Sequence, residues 1–261
     1  MRVIKIGGNE LDNPAFVTSL ANSLKQLQEP AVLVHGGGKI IDTLQQQLGI
    51  TPVKANGLRV TDAASLPPTL MVLSGLVNKK LTAGLIQSGI DAIGLSGVDG
   101  GLLRCSKLKA AGIDLGFVGS IEEVRVEILE NLTGGGLLPV ISPMSLGYDG
   151  QIMNVNADQA AAAIAAALNA DMLDFISNVS GVVAQGQLLP TLSRSRAEAL
   201  IQDGTIHSGM LPKIQAAFDA LEVGVSRVRI VDLDGFAHHA GTILTYATQP
   251  IQAQFKAEVL Q

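Results

Sequence analysis

Two short apolar runs in this chain end in the same way, and that pairing constrains the fold more than any other feature. Arg2 to Ile6 runs into Gly7-Gly8, and Ala31 to Val34 runs through His35 into Gly36-Gly37-Gly38. Glycine has no Cβ, so backbone N–H groups at such a turn can come close to a ligand. Successive N–H groups beside a helix N-terminus form a concavity that holds an anion. Two such turns on neighbouring strands read as a cradle for a phosphate, with Lys5 supplying a charge beside it.

The rest of the chain alternates between strand and helix signals. Asn13-Pro14 is a helix start, with Asn as N-cap and Pro in the first turn. Phe16, Leu20, Leu24 and Leu27 then mark one face at helical spacing. Ile40, Ile41, Leu44 and Leu48 mark the next helix, which Gly49 stops. After Pro67-Pro68, the stripe Leu70, Leu73, Val77 and Leu81 predicts a helix ending near Gly89. Ala92 to Leu95, Leu137 to Ser142 and Met172 to Ser177 read as strands, with Arg227 to Val231 the last clear one. Pro139 suggests a strand start or a bulge. Ala157 to Ala170 and Met210 to Leu221 read as helices, and Ser195-Arg196-Ala197-Glu198 as a capping box opening a helix to Gln202. Leu102 to Ile121 and Leu146 to Met153 fit hairpin excursions. The alternation predicts an α/β fold with a mainly parallel sheet covered on both faces.

Composition narrows the function. A length of 261 residues suits one large α/β domain or two closely joined lobes. The net charge of −5 argues against a nucleic-acid binder with a broad basic face. Cys105 is the only cysteine, so a cytosolic setting is favoured over a disulfide-rich one. No apolar run approaches the roughly 20 residues that a membrane span needs. The nucleotide-binding signatures G-x-x-x-x-G-K-[ST] and G-x-G-x-x-G are absent, as are H-E-x-x-H and any Cys/His cluster with zinc spacing. His238-His239 reads as a solvated loop.

Several polar residues stand out on their own chemistry. Lys5 lies between Ile4 and Ile6, where burying its charge is costly without an anionic partner. The bland alternative is an edge-strand lysine with its head in water. Asn156 suits an N-cap and Asp158 a first-turn acid, but neither role explains Asn154. Arg59 lies in a loop between apolar segments and suits bidentate carboxylate binding, although a surface arginine is an equal reading. Lys213 sits one turn into a helix, where a solvated lysine is the default.

Taken in order, Lys5-Ile6-Gly7-Gly8, Val34 to Gly38, Asn56 to Thr61, Val77-Asn78-Lys79, Gly94 to Gly97, Gly116 to Gly119, Asn154 to Ala161 and Gly209 to Lys213 resemble the amino acid kinase family. They look specifically like its members that act on N-acetyl-L-glutamate in arginine biosynthesis. The set spans roughly residues 3 to 245. The resemblance implies an open αβα sandwich around a mainly parallel sheet. It implies an N-terminal lobe, residues 1–170, for the amino-acid substrate and dimerisation, and a C-terminal lobe, residues 171–261, for ATP, joined by one continuous sheet. The implied reaction transfers phosphate from ATP, with Mg²⁺, to the side-chain carboxylate.

Roles follow from the matching positions. Arg59 and Asn154 would hold the α-carboxylate and acetylamino group. Gly8, Gly37 and Gly38 would offer N–H groups to the phosphoryl group and substrate. Lys5 and Lys213 would flank the phosphoryl group, with Asp158 accepting hydrogen bonds from both. Asn178, Val179, Ser180, Gly181, Val182 and Val183, with Thr205, Ile206 and His207, would line the adenine and ribose site. Mg²⁺ would accompany ATP, and no residue is assigned as its ligand. Many relatives carry Asp where this chain has Asn178. The same fold would also serve a kinase for carrier-protein-linked aminoadipate or glutamate, or a non-catalytic amino-acid sensor. A cytoplasmic homodimer is expected, with neither nucleic acid nor membrane as partner.

Overall fold

The computed structural model describes residues 1–8, 11, 13–55, 57–109, 112–207 and 210–245. Asn56 and Gly209 of the motifs above, and the polar tail from Tyr246, lie outside the described residues. In chain order the first elements are β1 (Arg2–Ile6), α1 (Pro14–Lys25), β2 (Ala31–His35), α2 (Gly38–Gln47), β3 (Lys54–Ala55) and β4 (Leu58–Arg59). A long helix follows in three parts: α3 (Leu66–Leu70), a π-helical stretch Met71–Val77, and α4 (Asn78–Gln87). Then come β5 (Ala92–Ser96), β6 (Leu103–Lys107), β7 (Gly119–Val124), α5 (Val126–Gly134), β8 (Leu138–Ser142), β9 (Met144–Gly147) and β10 (Ile152–Asn154). The remainder is α6 (Ala157–Ala167), β11 (Met172–Ile176), β12 (Val183–Ala184), β13 (Gln187–Leu188), β14 (Thr191–Ser193), α7 (Arg194–Gln202), α8 (Leu211–Glu222), β15 (Val228–Val231), α9 (Leu233–Ala237) and β16 (Thr242–Thr245).

Eight strands form the central sheet in the order β14-β16-β15-β11-β1-β2-β8-β5. Every pair is parallel except β15 with β16. All residues of β2, β8 and β11 are buried, as expected of strands covered on both faces. Alternation sorts their side chains. Val3, Val32 and Val34 pack with Ala161 and Ile164 of α6 and Phe218 of α8. Ile4, Ile6 and Leu33 pack on the other face with Leu20 of α1 and Leu81 and Leu85 of α4. The two expected excursions join into one smaller sheet, β10-β9-β6-β7.

The structure decides one open reading and departs from the sequence reading in three places. Lys5 is on a central strand between β2 and β11, which removes the edge-strand alternative. Arg59 belongs to a two-residue strand paired with β3 rather than to an open loop. The cap of α7 is Ser193, not Ser195: Ser193 is extended (φ −83°, ψ 160°) and its side chain accepts from the Arg196 N–H. Arg227 to Val231 is not the last strand, because β16 folds back antiparallel to β15. The π-helical stretch carried no sequence signal, since its apolar stripe fits ordinary helical spacing equally well. Pro139 is the second residue of β8, level with Ile93 of β5.

Candidate active site

Parallel register sets the carboxyl ends of three strands side by side. Ile6 is level with Ile176 of β11 on one side and with His35 of β2 on the other. The chain leaves β1 toward β2 but leaves β11 toward β15. Such a divergence opens a crevice at the carboxyl ends of the strands.

Lys5 points to the α6 face, in phase with Val3. There its Nζ lies 2.7 Å from Asp158 Oδ1. Asp158 is in the first turn of α6, which Asn156 caps: its Oδ1 accepts from the N–H groups of Asp158 (2.8 Å) and Gln159 (3.3 Å). The half-buried lysine therefore has its anionic partner, held by a helix start whose dipole favours a carboxylate.

The two glycine turns touch. A Cβ on Gly8 would stand 2.5 Å from Gly37 Cα and 2.6 Å from Gly37 N. A Cβ on Gly37 would stand 2.8 Å from Leu73 Cδ2, in the π-helical stretch. No larger residue fits either position without moving backbone or a packed side chain. Gly37 is the N-cap of α2, so the free N–H groups of that helix face the turn.

His35 braces the turn from the opposite face. It is buried, with Nε2 3.1 Å from Asn78 Nδ2 and Nδ1 3.0 Å from the Gly36 carbonyl. An amide nitrogen cannot accept, so Nε2 is the acceptor and Nδ1–H donates to Gly36 (a tautomer assigned from the network). Burial lowers the pKa of His35 to about 4; the charge of Lys79 adds to this, and together they outweigh the Gly36 contact. With the Gly36 carbonyl turned toward His35, the trans peptide directs the Gly37 N–H the other way, toward Gly8.

Lys5, Gly37, Gly38, Arg59, Asn154 and Asp158 line one cavity of about 210 Å³, with Ile41 and Leu73 among its apolar walls. Arg59 donates from Nη1 to Gln45 Oε1 (2.9 Å) and from Nη2 to the Gly38 carbonyl (2.9 Å). Its Nη2 is also 2.6 Å from Asp42 Oδ1. Asn154 donates from Nδ2 to Thr61 Oγ1 (3.1 Å). Asp42, Gln45, Thr61, Leu73 and the His35–Asn78 pair are the residues that sequence reasoning missed. Asp42 and Gln45 share a stripe with Gly38 at helical spacing, Leu73 lies in the apolar stripe of the long helix, and His35, Thr61 and Asn78 stand in the quoted motifs, but nothing local gave any of them a role at the site.

Lys213 lies in the first turn of α8, with Nζ 3.0 Å from Asn178 Oδ1 in the turn after β11. Along that turn the Val182 N–H donates to Thr242 Oγ1 (2.8 Å), which directs the Val182 side chain into the core. Gly181 has φ +141°, and a Cβ there would meet Thr242 Oγ1 at 2.6 Å. Val183, Thr205 and His207 are exposed, whereas Ile206 joins the same core cluster as Val182. Among the described residues no group of three or more His, Cys, Asp and Glu gathers to hold a metal ion. Likewise, no described helix is long and apolar enough to cross a membrane.

Paired glycine turns with a lysine beside them at the carboxyl ends of a parallel sheet define an α/β protein whose geometry suits phosphate. The chain belongs to the amino acid kinase family, whose sequence model matches residues 1–232. It is 50% identical over 242 residues to an acetylglutamate kinase of Roseiflexus castenholzii, covering 93% of each chain. Among solved structures it resembles a Streptococcus mutans protein at a TM-score of 0.78 and 28% identity, covering 94% of this chain and 98% of that one. It also resembles the N-acetylglutamate synthase of Neisseria gonorrhoeae solved with coenzyme A and L-arginine (TM-score 0.78, 28% identity), covering 94% of this chain and 61% of that one. Membership of a kinase family implies ATP as the phosphoryl donor.

Proposed function

We propose that this protein is an acetylglutamate kinase: it transfers the γ-phosphoryl group of ATP to the side-chain carboxylate of N-acetyl-L-glutamate. The observation that carries this reading is the gathering of Lys5, Gly37, Gly38, Arg59 and Asn154 around one small cavity. The similarity to an acetylglutamate kinase over nearly the full length of both chains supports it.

The chemistry suits these groups. A side-chain carboxylate is ionised at neutral pH and needs no general base. One of its oxygens attacks the γ-phosphorus, a P–O bond forms, and the bond to the departing ADP breaks. No proton moves. The obstacle is repulsion between two anions that must meet in line, so catalysis rests on positioning and charge neutralisation. In this reading Arg59 grips the α-carboxylate and Asn154 the acetylamino group. The N–H groups of Gly8, Gly37 and Gly38 face the phosphoryl oxygens. Lys5 and Lys213 flank them as compact charges, and Asp158 steadies Lys5 through the ion pair already formed. Residues 171–261 take ATP through the turn at 178–183 and the stretch 205–207, and residues 1–170 take the amino acid and form a homodimer. Mg²⁺ neutralises charge on the nucleotide. The cradle and lysines fit a metal held by phosphate oxygens, since Asp158, which lines the same cavity, is engaged by Lys5. The proposed setting is the cytoplasm.

The test is kcat/KM for free N-acetyl-L-glutamate, glutamate and carrier-protein-linked aminoadipate, read by ATP-dependent hydroxamate formation. Free N-acetyl-L-glutamate should be strongly preferred, and Lys5→Ala should cut kcat by about 10²-fold or more with little change in KM. Preference for the carrier-linked substrate would overturn the assignment. An absence of turnover with every substrate would mean a sensor.

A further inference from the structure

Among the described residues, the partners of the Arg59 guanidinium all come from one helix. Gly38, Asp42 and Gln45 stand at i, i+4 and i+7 of α2, a single stripe. All three meet the same guanidinium: the Gly38 carbonyl and Asp42 Oδ1 at Nη2, Gln45 Oε1 at Nη1. Two of its nitrogens are thus tied to a rigid element at three points. Arg59 is only 8% exposed as a side chain, and Gln45 is 1% exposed.

Gln45 is costly where it stands. Its Nε2 is buried with no hydrogen-bond partner among the described residues, while its Oε1 serves Arg59. A buried amide left without a partner is destabilising, and an apolar residue at this position would avoid that. A polar residue retained there is explained by its hold on the arginine.

The same helix begins at the glycine cradle. One end of α2 therefore faces the phosphoryl group while its first two turns hold the arginine. From Gly38 to Gln45 the axial rise is about 10 Å. The spacing between carboxylate grip and cradle is then a property of one helix, not of two loops that could drift apart.

We propose that Asp42 and Gln45 are positioning residues that make α2 a ruler for the length of the acylated amino dicarboxylate. This rests on the reading of Arg59 as the α-carboxylate grip. A chain one methylene longer or shorter moves the reacting carboxylate by roughly 1 Å, and misplacement of that size costs about 10²-fold in rate. Freed from α2, Arg59 would follow a substrate of the wrong length, and discrimination would fall.

The experiment compares kcat/KM for N-acetyl-L-glutamate with its homologues one methylene shorter and one longer. Wild type, Gln45→Ala, Asp42→Asn, Gln45→Glu and Arg59→Ala are measured side by side. Gln45→Ala and Asp42→Asn should each narrow the preference for the glutamate length by about 10-fold, and Gln45→Glu, which keeps the acceptor oxygen, should restore it. A merely structural role would lower all three substrates together and leave their ratio unchanged, which would overturn the ruler. The two readings fail separately. If Arg59→Ala raises KM for N-acetyl-L-glutamate while the length ratio stays fixed in Gln45→Ala and Asp42→Asn, only the ruler falls. If Arg59→Ala leaves KM unchanged, the grip itself is wrong.

Discussion

Single residues in this protein owe their behaviour to what burial does to them. Lys5, on a central strand, meets an opposite charge in Asp158, 2.7 Å away. His35 takes the other course and gives its charge up. With a folded pKa of about 4 against an ordinary 6.5, it binds fewer protons folded than unfolded between those values. Its contribution to stability is therefore complete above about pH 6.5 and is lost as pH falls toward 4, by up to about 3 kcal/mol. Urea unfolding at about pH 7 and pH 4.5 should show His35→Gln losing less stability on acidification than wild type. Equal losses would mean that His35 is not the residue being protonated. The readable part of these residues was their type and neighbourhood. Lys5 before two glycines could be read as needing an anionic partner, whereas the neutrality of His35 could not, because it follows from burial against distant parts of the chain, where Asn78, 43 positions further along, meets its ring.

Helix starts show the same division at the scale of elements. Asn13 and Asn156 could be read as caps because an N-cap bonds only to residues two or three ahead. Asn13 Oδ1 accepts from the Ala15 N–H at 3.0 Å, and Asn156 caps α6. Ser193 and Ser195 lie two positions apart and are chemically alike. What chose between them was β14, which keeps Ser193 extended by pairing beside β16. Asn156 also matters to the site, since the turn it caps carries Asp158. Asn156→Ala should cost about 1 kcal/mol of stability and lower kcat, with KM for the amino acid nearly unchanged. A loss confined to stability would separate the cap from the chemistry. The turn Met71 to Val77 belongs to this scale as well. Its widened coil sets Leu73 against Gly37, and Ser74 Oγ lies 2.8 Å from Ser142 Oγ.

The whole molecule is held across its middle by charge as well as by apolar packing. Asp174 of β11 is fully buried and lies 2.5 Å from Arg229 Nε of β15 and 3.2 Å from Arg2 Nη1 of β1. Arg229 also lies over the Phe236 ring of α9, at 5.4 Å to the centroid. Three neighbouring strands thus share one carboxylate. Removing it strands a buried guanidinium, so Asp174→Ala should destabilise by about 3–5 kcal/mol in urea unfolding. The double change Asp174→Leu with Arg229→Met should recover most of that, because an apolar pair pays no desolvation. Failure of the double variant to recover would mean that the pair sets register rather than balancing charge.

Local chemistry alone determined the alternating strands and helices, most helix starts and the glycine turns beside Lys5. Each depends on residues a few positions apart, and the amino acids carry that information directly. The ordered motifs further determined the family, because so many short segments in one order leave little room for another fold. Tertiary structure decided the rest. It set β1 between β2 and β11, so that Lys5 meets Asp158 of a helix some 150 residues later. It joined two hairpins into a second sheet and gave Arg59 its three partners on α2. Those outcomes turn on which distant surfaces exclude water together. Burial and long-range approach are properties of the folded chain, and no window of sequence contains them.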